Sequence, residues 1–268
     1  MTTVFEEIIA GVKDDVAARE AVVPFRDIKA RSRDCEPPRD VMSALLAPGC
    51  QLIAEVKRFD PETGRIAYQE APTELARQFE VGGAALIACH TEQRRFHGSL
   101  AEMADVRATV SVPILCRDFI IDPYQIHEAR CFGADMIPLR VAVLDQPHLC
   151  SLLDRVESLG MAALVEVRNP EEAIRAIDAG ASIVGVNARD FETMTLNRQA
   201  FAEIAPGLPS DVIKIALSGV RNAAELYEYA SRGADAVVIG TSLVTAKSPL
   251  ALTRALVSAA QHPACPSR

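Results

Sequence analysis

A (β/α)8 TIM barrel with an N-terminal helical extension is the fold class this sequence predicts, and three observations carry the prediction. Eight short apolar runs rich in β-branched residues follow residue 50, as the strands of a buried parallel sheet should read. Amphipathic segments ending in glycine separate them, and glycine is the usual residue just past a helix C-terminus. A small-residue signature returns about every fifty residues: GGAA at 82, GAD at 133, GAS at 180 and GAD at 233, each introducing an even-numbered run.

Residues 1–50 read as one or two helices, beginning VFEEIIAGVKDDVAAR, followed by a proline-containing loop, CEPPRD. The predicted strands are LIAEVK (52–57), AALIACH (84–90), VPILCRD (112–118), ADMIPLRV (134–141), AALVEVR (162–168), SIVGVNAR (182–189), IKIALSG (213–219) and ADAVVIG (234–240). Between them PTELARQFEVGG, PYQIHEARCFGAD, NPEEAIRAIDAGAS and NAAELYEYASRGAD carry apolar residues at three- and four-residue spacing. Strand then helix, repeated in this way, implies a parallel sheet covered by helices. No GxGxxG follows the first run, which argues against an open dinucleotide-binding sheet. One domain over 1–268 is expected, the extension at 1–50 and the barrel at 51–260.

With 268 residues and 49% hydrophobic content the chain is able to bury a barrel-sized core. A formal charge of -8 with scattered lysines and arginines argues against a nucleic-acid surface, so any phosphate must be held locally. Seven cysteines at 35, 50, 89, 116, 131, 150 and 265 form no CxxC pair, and their odd number fits free thiols in a reducing compartment. The acidic, amphipathic N-terminus is unlike a signal peptide, and no run approaches the ~20 apolar residues of a membrane span. A soluble cytoplasmic protein is expected; its oligomeric state is not legible.

Barrel enzymes carry their active sites at the C-terminal ends of the strands. The polar residues there are Glu55, Lys57, His90, Arg117, Asp118, Arg140, Glu166, Arg168, Asn187, Arg189 and Ser218. Glu55, Lys57 and Glu166 form an acid–base set suited to chemistry at a carbonyl, with a buried glutamate able to move toward neutral pH. Lys57 as a Schiff-base nucleophile is the rival, which flanking acids oppose. Two glycine turns, SGVRN (218–222) and GTSLV (240–244), follow the seventh and eighth strands, where barrels often present backbone N–H groups to a phosphate; Gly219, Gly240 and Thr241 are the candidates. His90 and His97, with Cys89, do not make a metal-ligand spacing, and a packing or surface role is expected for both histidines; no metal is expected.

The stretches IAEVKR, TEQRRFHGSL, RDFIIDPYQIHEAR, ALVEV, GVNARDF and SGV together resemble the indole-3-glycerol phosphate synthase family over almost the whole chain. The resemblance implies a lyase needing no metal or organic cofactor. Its substrate would be an anthranilate-derived aminodeoxyribulose phosphate, an aryl-amino sugar phosphate that closes to an indole with loss of CO₂ and water. Lys57, Glu55 and Glu166 match the family's catalytic positions, with Lys57 as proton donor, Glu166 as base and Glu55 orienting Lys57. Asn187, Arg189 and Ser218 match its substrate-positioning residues, and Phe119 would pack on the aromatic ring or lie in the core.

Several positions depart from the family pattern. Arg117 stands where the family has a lysine proton donor, and arginine hydrogen-bonds an oxyanion but is a poor general acid. Asp60-Pro61-Glu62 replaces a serine–proline–serine turn whose first serine meets the phosphate, Leu217 replaces a glutamate, and Arg140 replaces an apolar residue. Three readings stay open on the sequence: the ordinary ring closure with tolerated changes, a specialised paralogue acting on a related aryl-amino sugar, and a non-catalytic binding or regulatory barrel.

Overall fold

A computed structural model describes residues 4–60, 64–66, 70–190 and 195–262. Eight parallel strands close into a barrel: β1 (Gln51–Val56), β2 (Leu86–His90), β3 (Ile114–Arg117), β4 (Met136–Arg140), β5 (Ala162–Val167), β6 (Ile183–Asn187), β7 (Ile213–Leu217) and β8 (Ala236–Ile239). Each strand pairs with its neighbours in chain order, and β1 meets β8 with Ile53 opposite Val238. A two-residue hairpin, Phe59–Asp60 against Gly64–Arg65, follows β1.

Three helices, one more than the most that the sequence suggests, fill the extension: α1 (Val4–Val22), α2 (Phe25–Arg31) and α3 (Val41–Leu45). Phe5, Ile8, Val12 and Val16 form the apolar stripe of α1 and pack with Phe96, Phe119 and Tyr124 of the barrel. Val41 and Leu45 of α3 join the barrel's inner core, closing its N-terminal mouth. Outside the strands lie α4 (Pro72–Val81), α5 (Leu100–Thr109), α6 (Pro123–Cys131), α7 (Gln146–Ser158), α8 (Pro170–Asp178), α9 (Ala200–Ile204), α10 (Ala223–Ser231), α11 (Thr241–Val244) and α12 (Pro249–Ala260). Their starts are chemically marked: Ser99, Asp122, Asp145, Asn169, Asn222 and Ser248 each accept a backbone N–H of the first turn.

Alternation along the strands positions the site. Leu52, Ala54 and Val56 of β1 face the helices, whereas Ile53 faces the inner core with Leu86, Ala88, Leu115, Met136, Leu164, Ile183, Ile213, Ile215, Ala236 and Val238. Continuing the inward series by two residues reaches Glu55, His90, Arg117, Glu166 and Leu217, and continuing it by four, past Pro138 and Gly185, reaches Arg140 and Asn187. One layer of the barrel therefore gathers the charged residues at its C-terminal end, above an apolar floor. Leu217, 1% exposed, belongs to that floor: with Leu164 it fills the space over Gly185, where a Cβ would lie 2.8 Å from Leu217 Cδ1.

Among the described residues no helix is long and apolar enough to cross a membrane.

Candidate active site

A cavity of about 360 Å³ opens above this layer, lined among others by Glu55, Lys57, Asp60, His90, Arg117 and Arg140, and on its far rim by Ser218, Gly219, Gly240 and Thr241. Glu55 and Lys57, two residues apart on one face of β1 and its continuation, meet there: Lys57 Nζ is 3.4 Å from Glu55 Oε2 and 3.4 Å from Asp60 Oδ2. The other oxygen of Glu55 faces His90 Nε2 at 3.1 Å and Arg117 Nε at 3.4 Å. Gly240 allows this crowding, because a Cβ at that position would sit 2.3 Å from Glu55 Oε2 and 3.0 Å from Lys57 Cε.

Glu166 lies deeper. Arg117 Nη1 donates to its Oε1, Arg140 Nε stands 3.1 Å from its Oε2, and Asn187 Nδ2 donates to Oε2 at 3.3 Å. Asn187 Oδ1 in turn accepts from Ser218 Oγ and from the Arg189 backbone N–H, both at 3.0 Å. Ser218 and Gly219 adopt consecutive left-handed conformations, φ 66° and 88°, which bend the chain sharply at the end of β7 and aim Ser218 at Asn187.

Two glutamates in a barrel interior would ordinarily resist ionisation, and the sequence suggests a shift toward neutral pH. The opposite holds. Burial raises the Glu55 carboxyl, but Lys57, His90 and Arg117 outweigh it and hold the group well below the usual range. Burial likewise opposes ionised Glu166, and Arg117 with Arg140 overcomes it. Arg117 gains from the same pairing: burial acts against its charge, yet Glu166 and Glu55 leave it above its ordinary value. Arg140 goes the other way, lowered by burial and by the neighbouring Arg117. Burial also keeps His90 below its usual value, despite Glu55.

Most of the anticipated residues come together, with differences. Arg189, Ser218, Gly219, Gly240 and Thr241 line the main cavity, whereas Glu166 and Asn187 line a smaller adjoining space shared with Arg140 and Phe5 of α1. Arg117 and Arg140 thus stand between Glu166 and the main cavity. Phe119 is 2% exposed, packs with Phe5 of α1 and with Phe96, and has its face covered by Arg140, whose Cζ is 4.0 Å from the ring centroid. Asp118 accepts from Thr91 Oγ1 at 2.6 Å, and Arg168, which pairs with Glu172 at 2.9 Å, lines the smaller space beside Glu166. Asp60 turns into the cavity, where Thr241 Oγ1 donates to it at 2.5 Å; Pro61 and Glu62 lie outside the described residues.

For His90 the sequence suggests a packing or surface role. It does pack, stacked 4.7 Å from Phe96, but it also lines the cavity and touches Glu55; its place at the end of a strand was the available signal. Leu196 and Arg198, brought to the rim by the loop after β6, carried no such signal, because their position depends on how that loop folds back onto Ala188.

A family model described as indole-3-glycerol phosphate synthase matches residues 5–256. Proteins named indole-3-glycerol phosphate synthase are similar over nearly full length: that of Mycolicibacterium smegmatis is 56% identical, covering 98% of this chain and 97% of its own. Those of Mycobacterium avium, 55% identical, and Saccharopolyspora erythraea, 54% identical, cover 98% of this chain and 97% and 98% of their own. Taken with the barrel and the acid–base set at its mouth, these matches establish that the chain belongs to the indole-3-glycerol phosphate synthase family.

Proposed function

We propose that this protein acts as a carboxy-lyase, closing an indole ring from a carboxyphenylamino-deoxyribulose phosphate in the cytoplasm, with release of CO₂ and water. The observation that carries the reading is Lys57, held between Glu55 and Asp60 in a cavity whose opposite rim offers Gly219, Gly240 and Thr241. Lys57 delivers a proton to the sugar carbonyl as the aromatic carbon that bears the carboxylate bonds to the carbonyl carbon; loss of CO₂ then restores aromaticity. A second protonation expels the new hydroxyl as water, and Glu166 takes the proton released from the adjacent carbon. Glu55 orients the ammonium, Arg117 hydrogen-bonds the sugar oxygen, and Asn187, Arg189 and Ser218 position the substrate.

Two features adapt the scheme to this chain. Since Arg117 does not give up its proton at ordinary pH, donation falls to Lys57. Since Arg140 covers Phe119, the substrate ring meets a guanidinium face, and Glu166 reaches the substrate once that guanidinium shifts. The test is to mix purified protein with the carboxyphenylamino-deoxyribulose phosphate and follow the fluorescent indole product. A saturable rate that vanishes in Lys57→Ala is expected; no product at high enzyme concentration, beside an active synthase control, would overturn the proposal.

A further inference from the structure

Asp60 stands where the acid–base chemistry meets the proposed phosphate end. It is 6% exposed, and a single oxygen, Oδ2, both accepts from Thr241 Oγ1 at 2.5 Å and lies 3.4 Å from Lys57 Nζ. Glu55 flanks the same ammonium from the other side, and Gly240, having no Cβ, leaves room for both Glu55 and Lys57. One carboxylate thus links the proton donor to a hydroxyl assigned to phosphate.

We infer that Asp60 is a specificity-determining residue: an internal carboxylate that occupies the Thr241 hydroxyl and shares the Lys57 ammonium until a phosphate competes for both. The inference rests on the reading that the cavity takes an aryl-amino sugar phosphate at Gly219, Gly240 and Thr241. A threonine hydroxyl has one proton to donate, so bonding to Asp60 and bonding to a phosphate oxygen exclude each other. A carboxylate beside a dianion also repels it, most strongly where the cavity wall excludes water. The site therefore holds dianionic phosphate less tightly than the same site with a neutral residue at 60, and it favours a terminal group that donates a hydrogen bond to Asp60.

The experiment titrates inorganic phosphate into the full-length parent, Asp60→Asn and Asp60→Ser at constant ionic strength, by calorimetry or phosphorus NMR. Asparagine keeps a carbonyl acceptor for Thr241 without the charge, and serine removes the charge and shortens the side chain. Both variants are expected to bind phosphate on the order of tenfold to a hundredfold more tightly than the parent. Variant binding with none detectable in the parent supports the inference equally. Equal or weaker binding in the variants, or none in any of the three, overturns it. Kinetics supply a second reading: KM for the sugar phosphate falls in both variants without a matching rise in kcat, a split that a merely structural role would not produce. If phosphate affinity rises as expected while no variant turns over substrate, the ring-closure proposal fails and the inference stands; turnover with unchanged phosphate affinity does the reverse.

Discussion

Replacing Arg117 by methionine keeps most of the side-chain volume and removes the charge that bridges Glu55 and Glu166. At 3.4 Å, the Arg117–Glu55 pair alone corresponds to a Coulomb energy of about 5 kcal/mol at an effective dielectric of 20. The net loss is smaller than the sum of both pairs, because the arginine's own desolvation is relieved and Lys57, His90 and Arg140 still face the two carboxylates. Breaking a buried pair from one side costs roughly 3–5 kcal/mol, which lowers the melting temperature by roughly 5–9 °C in a domain of this size. Denaturant unfolding at several pH values measures the loss and also tests its origin. Both glutamates are depressed in the folded protein, so the stability they contribute is complete above an unfolded value of about 4.3 and is lost as pH falls through their folded values. Removing Arg117 lifts both folded values, so the deficit is largest near neutral pH and shrinks on acidification below about pH 5. A variant within about 1 kcal/mol of the parent at neutral pH, or a deficit that grows in acid, would refute the reasoning.

Gly240→Ala places a methyl group 2.3 Å from Glu55 Oε2, displacing the Glu55–Lys57 pair; steady-state assays should show turnover down by about a hundredfold with little change in melting temperature. Arg140→Leu removes one guanidinium from Glu166 and raises its carboxyl, so the acid limb of the kcat–pH profile should move to higher pH. Outside the site, His127 is 1% exposed, its Nδ1 2.7 Å from Ser32 Oγ, and burial together with Arg155, Lys29 and Arg33 pushes it down to about 4. The unfolded chain takes up a proton near pH 6.5 that the folded one refuses, so stability should fall by on the order of 3 kcal/mol between about pH 6.5 and 4. His127→Gln should abolish that slope, as urea unfolding at pH 7.5 and pH 4.5 will show.

Much of the barrel and part of its mouth were legible because their signals are local. Period-two alternation within LIAEVK already places Ile53 and Glu55 on one face, and asparagine, aspartate or serine before an amphipathic run marks a helix start whatever surrounds it. The sequence by itself thus determined eight strands, the end at which their polar residues gather, and the candidate acids and bases. Only the tertiary structure decided how those charges neutralise one another. Closing β1 against β8 brings Thr241 onto Asp60 across 181 residues of chain, and the packing of β3 beside β4 lays Arg140 over Phe119. The glutamates are ionised rather than raised toward neutral pH for the same reason: desolvation is visible in the apolar character of a strand, but apart from Lys57 the groups that overcome it, His90, Arg117 and Arg140, come from three other strand ends. Which of them face which carboxylate is set by the curvature and register of a closed sheet, and neither is encoded in any single stretch.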